Sequence, residues 1–320
     1  MIVRSVLRRL LTAAFLVFAV VAATFFLIHL APGDPADLMA GDAPTPEFRA
    51  EVRRAYGLDR PVPEQFLTFV GKAAQGDFGT SIYYNKPVFQ VIWDRAPATF
   101  LLTGSAILLA TFLGVLLGVA AARRAPGKLD TLITGGSLIG YSVPGFWIGQ
   151  LLVLLFAVEL GWVPTGGMIS ARSHYTGFAY LADLGRHMAL PVFTLTIFMA
   201  AMIARFTRAA MVEAFDQDYI TVAEAKGVSP GRIVWHHAFR NAVVTVVTVV
   251  GLEFGAVLAG ALVIEIIFGW PGLGRLFYDA IYRRDFPLLT GSFIFTSIAV
   301  VIVNALTDIA CAALDPRVRR

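Results

Sequence analysis

Three carboxylates lie inside stretches that are otherwise apolar: Glu253, Asp308 and, nearer the end of its run, Glu265. An ionised group at bilayer depth costs at least roughly 2.5–3.5 kcal/mol, so it faces water or a partner. Such a group can hold a proton, an ammonium or another cation, or it can pair with a base. Glu253, within Gly251-Leu252-Glu253-Phe254-Gly255, is placed to meet the amino group of a solute or a cation. Alternatively it pairs with a buried base or a neighbouring polypeptide and only fixes packing. Asp308, near the inner end of the last apolar run, reads as an interfacial anchor. His29 ends the first apolar run, where an imidazole is a hydrogen-bonded cap more often than a ligand or proton carrier. Other chemistry is scarce. There is no Gly-x-x-x-x-Gly-Lys-[Ser/Thr] loop to cradle a nucleotide, no His-Glu-x-x-His and no Gly-x-Ser-x-Gly. No catalytic residue and no metal site is expected. The single cysteine, Cys311, excludes an internal disulfide and a thiolate cluster and reads as packing.

The elements that must position these groups are membrane helices. In 320 residues, 57% are hydrophobic and only 15% charged, and the mean hydropathy is +0.71, which describes a polytopic membrane protein. Six spans are expected, over residues 10–30, 98–122, 132–160, 188–206, 242–268 and 288–314. The first is longer than the 7–15-residue apolar core of a signal peptide, so a retained span is expected. In the second, Gly114 and Gly118 are spaced for close helix contact. The third is long for one crossing and carries Pro144, which predicts a kink or a tilt. Its Tyr141-Ser-Val-Pro144-Gly-Phe-Trp147 segment either lines a solute route or packs. Tyr141, Pro144, Glu253, Phe254 and Gly255 are the candidate pathway residues.

Three chain segments follow: 1–30, a tail and first span; 31–95, an outer module; and 96–320, a core with an inner loop at 213–241. In the module, Pro46 predicts a helix start, with Phe48, Val52, Ala55 and Tyr56 on one face before Gly57. A second helix is expected over 64–74 with Phe66, Leu67 and Val70 inward. The net charge of +4 does not point to nucleic acid, because the bases cluster beside apolar runs as orientation signals do. Fourteen bases fall on one side and five on the other once the long module is set aside. Loops beyond about 60 residues are largely exempt from that rule. Both termini and the 213–241 loop are therefore expected inside.

That loop is a charged island between two apolar runs, with Glu213, Asp216, Asp218 and Glu224 set against Lys226, Arg232 and Arg240. Ala223, Glu224, Ala225 and Lys226 are strong helix formers and Gly227 sits where a left-handed cap would end them. Ser229-Pro230-Gly231 then turns the chain into a second short helix. The expected form is a helix, a glycine break and another helix, read by something soluble.

The island resembles the signature loop of binding-protein-dependent ABC importer permeases, whose Glu-Ala-Ala pattern is followed three residues on by glycine. Here Thr221-Val222-Ala223 and Gly227 occupy those places. The peptide branch is the closer fit, through Tyr219, Ala223, Ala225-Lys226-Gly227, His237-Ala238 and Arg240-Asn241, with Arg240 where the wider family has proline. His29-Leu-Ala-Pro-Gly-Asp-Pro35, Gly57-Leu-Asp-Arg-Pro61, Gly76-Asp-Phe-Gly79, Phe268-Gly-Trp-Pro-Gly-Leu-Gly274, Asp285-Phe-Pro287 and Leu314-Asp-Pro-Arg-Val-Arg319 are similar to the same branch. The resemblance implies an all-α integral membrane protein of the B type, with six transmembrane helices, N-in and C-in. A mainly helical extracytoplasmic insertion lies between the first two. It implies a permease for di- or oligopeptides, or a similar solute such as a glutathione-like compound or nickel chelate, in a bacterial inner membrane. Tyr219, Ala223, Glu224, Ala225, Lys226, Gly227, Arg240 and Asn241 would couple it to ATPases. The implied partners are a homologous second permease, two ATPase subunits that hold ATP and Mg, an extracytoplasmic binding protein and membrane lipid, with no cofactor on this chain. A rival of another class is an ion-coupled secondary transporter with Glu253 and Asp308 as proton sites, although no inverted repeat is visible.

Overall fold

The structure is a computed structural model that describes residues 2–30, 45–56, 58–170 and 175–314. All named elements among them are helical. α1 (Ile2–Leu30) precedes two short helices, α2 (Pro46–Tyr56) and α3 (Val62–Ala74). Then come α4 (Val88–Ala122), α5 (Lys128–Ser142), α6 (Gly145–Leu152, extended by a π-helical stretch Val153–Glu159) and α7 (Gly177–Phe215). α8 (Asp218–Ala225) leads to α9 (Pro230–Arg232), which runs through a π-helical stretch, Ile233–Ala238, into α10 (Phe239–Gly260). α11 (Leu262–Ile267), α12 (Leu273–Tyr282) and α13 (Phe286–Leu314) complete the described chain. Among the described residues five helices are long and apolar enough to cross a membrane, or six if α5 and α6 form one broken span.

α4 and α7 share the largest helix–helix contact, and the reason is the pair of glycines expected to allow it. A Cβ on Gly114 would stand 2.7 Å from Ile203 Cβ, and one on Gly118 would stand 2.6 Å from both the Ala204 carbonyl and Thr207 Cβ. Leu102, Ala106, Met199, Ile203 and Trp270 are buried in the core that these two helices share. α10 meets α13 in the same way: Gly251 faces Thr307, and Gly255 lies against Asn304 and Val300.

The segment expected as the third span is broken and not merely kinked, since α5 and α6 meet at 92°. Pro144 has no N–H to continue the ladder, and its ring drives Val143 to φ −82°, ψ 129°. Gly140 and Gly149 approach α7 and Phe268, whereas nothing stands within 4 Å of the position a Cβ would take on Gly136 or Gly145.

Two buried carboxylates tie neighbouring segments together. Glu265 is fully buried; it accepts from Thr99 Oγ1 at 2.6 Å and from the Arg275 N–H at 3.1 Å. It thus serves the otherwise unpaired N–H groups at the start of α12. Thr99 Oγ1 also accepts from the Leu273 N–H, and Trp270 Nε1 donates to the Ala98 carbonyl, both onto α4. Gly272 leaves the room that the Glu265 carboxylate fills. Asp285 accepts from Ser81 Oγ, the Tyr83 N–H and the Leu288 N–H, tying the 76–86 turn to the start of α13.

Several sequence expectations change. Leu67 does not face inward: it is 69% exposed, while Phe66 and Phe69 pack on Phe25 of α1. The inward residues are spaced i, i+3 and i+4 from Phe66, which excludes its immediate neighbour. α7 begins at Gly177, so much of the loop expected before residue 188 is helix. α4 begins at Val88 and α9 runs unbroken into α10, so the second island helix is the N-terminal end of the next long apolar helix. α2 starts at Pro46 as expected. The side chains of Phe48, Val52, Ala55 and Tyr56, with Gly57, residues 31–35 and the tail from 315, lie outside the described residues. His29 is the expected cap, its Nδ1 facing the Phe25 carbonyl at 2.9 Å and its Nε2 facing Gln65 Oε1 at 3.0 Å.

Candidate functional site

α8 is eight residues long, too short to be stable unless packed and capped. Packing comes from Ile220 and Ala223, buried against Met211 and Ala214 of α7, Val119 and Ala122 of α4, and Ile233, Val234 and Ala238. The cap is the expected glycine. Gly227 has φ +73°, its N–H donates to the Glu224 carbonyl at 2.9 Å, and the Val228 N–H donates to the Ala223 carbonyl at 3.1 Å. This pair of bonds is a Schellman motif. Asp218 in the first turn suits the positive end of the helix.

The burial of Ala223 makes it an anchor, and the presented surface is the other side. Tyr219 (37% exposed) and Val222 (52% exposed) lie outward with Glu224, Ala225 and Lys226. Tyr219, Val222 and Lys226 recur at i, i+3 and i+7, a single helical stripe. Beside it a cleft of about 330 Å³ brings Tyr219 together with Arg240 and Asn241, and adds Glu213 and Gln217. Asn241 Nδ2 donates to the His237 carbonyl at 3.2 Å. Trp235 is 47% exposed and stands edge-on to Phe239 at 5.4 Å. Trp235 and Gln217 have no mark in the sequence, and Val222 and Glu213 enter it only through the loop pattern and the charge of the island. The available signal was apolar side chains in a charged island, on a helix with its other face buried.

One ion pair braces this surface from the side. Arg208, near the end of α7, forks onto Asp130 at the start of α5, with Nη2 2.6 Å from Oδ2 and Nε on Oδ1. Thr134 Oγ1 adds a third bond to Asp130 at 3.3 Å. A planar fork of this kind fixes orientation as well as distance. The sequence marked Arg208 only as an orientation signal and did not mark Asp130.

The candidate pathway residues fall into two sets. Tyr141, at the end of α5, stacks on Phe198 of α7 at 4.9 Å, and Pro144 makes the α5–α6 break. On α10, Phe254 packs against the central core and Gly255 against α13. Glu253 between them is partly buried. Among the described residues its carboxylate has no hydrogen bond or ion pair. α5 and α10 both pack on α7, and no hydrogen bond or ring contact joins the two sets. Among the described residues no cluster of three or more His, Cys, Asp or Glu is arranged to hold a metal.

Comparison with known proteins places this geometry. Residues 114–320 match the family described as binding-protein-dependent transport system inner membrane component, and residues 2–103 match its N-terminal counterpart. The chain is 40% identical to the di/tripeptide transport system permease protein DppB of Pseudomonas aeruginosa, over 94% of each chain. It is 37% identical to the oligopeptide transport system permease protein AppB of Bacillus subtilis and 38% identical to the glutathione transport system permease protein GsiC of Escherichia coli, over 98% of each chain in both cases. Among solved structures, an inward-facing MetNI methionine ABC transporter chain superposes with a TM-score of 0.59 at 17% identity, covering 71% of this chain and 97% of that one. At that identity the likeness is one of fold.

Proposed function

The chain belongs to the family of binding-protein-dependent transport system inner membrane components, and from that premise we propose how it works and what it carries. It is a multi-pass permease subunit of an ATP-binding-cassette importer in the inner membrane. In the proposed reading the bent α5–α6 pair counts as one of six spans, both termini lie inside, and residues 31–95 form an extracytoplasmic module that receives a binding protein. The cargo is a di- or oligopeptide or a compound of like chemistry, as the names of the relatives suggest. A homologous permease and two ATPase subunits complete the transporter, with ATP and Mg held by the ATPases.

The observation that carries the mechanism is α8, buried through Ile220 and Ala223 and presenting Tyr219, Val222 and Lys226. Seated in a socket on an ATPase, this short helix is carried along when ATP closes the ATPase dimer. Its buried face passes the displacement to α7 and α4, and the Asp130–Arg208 fork passes it to α5. A ligand shifts a two-state equilibrium only by its differential affinity for the states, and a few kcal/mol suffice. In vesicles containing the chain and its ATPase partners, uptake of a labelled dipeptide is expected with ATP and no ion gradient. Uptake driven by a pH step alone, without ATP, overturns the reading in favour of ion coupling through Glu253 and Asp308.

Tyr141, Pro144, Glu253, Phe254 and Gly255 are proposed to border the route, with the unpaired Glu253 carboxylate as the group that meets cargo. A charge-assisted bond to a peptide ammonium is worth about tenfold in affinity. Glu253→Gln is therefore expected to raise KM about tenfold for peptides with a free amino terminus and leave N-acetylated ones unchanged. Equal KM values for wild type and variant on the free-amine peptide refute the assignment.

A further inference from the structure

A second cleft, between the inner ends of α1 and α13, holds charges of both signs that do not meet. Arg8, Arg9 and Thr12 line one wall, and Asn304 and Asp308 line the other, around about 360 Å³. Among the described residues neither guanidinium has a hydrogen bond or ion pair, and the Asn304 and Asp308 side chains have none either. Arg9 Nη1 is closed off from solvent with no partner at all. A buried donor left unpaired is costly, and a buried charge more so. An arginine pair and a carboxylate facing one gap without touching leave room for a ligand of complementary polarity, a phosphate next to an ammonium.

The surroundings say where such a ligand comes from. Leu7, Leu10 and Leu11 on α1, and Ile302 and Leu306 on α13, are exposed apolar side chains on the two helices that form the cleft. A membrane lipid would lay its chains along them while its headgroup fills the gap, and basic pockets between helices on the inner side are suited to headgroups. We propose that this cleft binds the headgroup of phosphatidylethanolamine. The phosphate sits on Arg8 and Arg9, and the primary ammonium donates to Asp308 with Asn304 Oδ1 as a second acceptor. Phosphatidylcholine carries a quaternary ammonium with no N–H to donate, and phosphatidylglycerol brings no cation to Asp308. The placement of this end at the inner leaflet rests on the orientation proposed above, but binding in detergent has no sidedness, so the two fail independently.

The test is native mass spectrometry of the full-length chain in detergent, titrated with each of the three lipids. Phosphatidylethanolamine is expected to bind about tenfold more tightly than either of the others, the worth of one charge-assisted hydrogen bond. Asp308→Asn is expected to bring it down to the level of phosphatidylglycerol. Arg9→Lys, which keeps the charge that orients α1 but loses the planar fork, is expected to weaken both. Equal binding of the three lipids by the wild-type chain, tighter binding of phosphatidylglycerol, or displacement by millimolar inorganic phosphate overturns the proposal, and none of these outcomes needs a variant to fold. An unchanged lipid preference in Asp308→Asn overturns it as well.

Discussion

Gly227→Val is expected to lower ATP-driven uptake about tenfold or more while the chain still inserts into the membrane. Nothing stands within 4 Å of the position its Cβ would take, so the effect is one of backbone and not of collision. At φ +73° an L-residue costs roughly 1–2 kcal/mol, and a β-branched side chain tolerates the region least. An eight-residue helix has little cooperativity with which to absorb that strain. Either the Schellman bonds open and the last turn of α8 frays, or Val228 and the chain beyond it swing to a new direction. The first moves Lys226 relative to the buried anchor Ala223, and the second moves the chain that carries Trp235 relative to α8. Gly227→Asn, which visits the left-handed region readily, is expected to keep most of the uptake. Gly231→Ala is expected to be silent, since that glycine has open space and no positive φ. Uptake in vesicles together with protease protection of the inserted chain checks all three, and wild-type uptake by the valine variant would sink the coupling role of this turn.

Gly118→Leu has the largest expected effect on the fold. A single Cβ there would already lie 2.6 Å from the Ala204 carbonyl and 3.0 Å from the Arg208 amide nitrogen, both backbone atoms that cannot rotate away. α4 and α7 would have to part along the contact that buries the centre of the molecule. Overpacking commonly costs about 1–3 kcal/mol, and a clash against a helix backbone belongs at or beyond the top of that range. The variant is expected to lose most of its yield as folded protein and to unfold at a markedly lower temperature in detergent. Gly104→Ala on the same helix is the matched comparison, since nothing stands within 4 Å of its Cβ position. It is expected to be neutral or to gain up to about 1 kcal/mol from helix propensity. A Gly118→Leu chain with wild-type thermal stability would mean that the crossing is looser than its geometry.

What the sequence disclosed and what it withheld divide along a physical line. Gly114, Gly118, Gly227 and His29 were legible because each meets a requirement written within one turn of helix or one cap. The 92° break at Pro144 was half legible, since proline in a membrane helix predicts a bend without saying how sharp. Glu265 was visible as a buried charge, yet its purpose depends on Thr99, 166 residues away. The Asp130–Arg208 fork closes across 78 residues and left no local trace. Hydropathy follows the bilayer and not the helix, so it does not mark the polar ends of α4 and α7 as helical. Leu67 failed for another reason: in a helix so near the membrane an apolar residue need not face protein.

α4 is touched at both extremities by the parts that matter. In its first half Ala98 and Thr99 receive Trp270 and the start of α12, and in its last turn Val119 and Ala122 pack with α8. Its 35 residues make a rod of about 50 Å. Gly114 and Gly118 bring it close to α7 nearer its C-terminal end, so under the proposed coupling it would swing as a lever with unequal arms. A swing of about 5° shifts points 50 Å apart by about 4 Å relative to one another, and the longer arm is the N-terminal one. Under the coupling proposed for α8, a small nudge at the C-terminal tip of α4 would thereby be magnified at its opposite end.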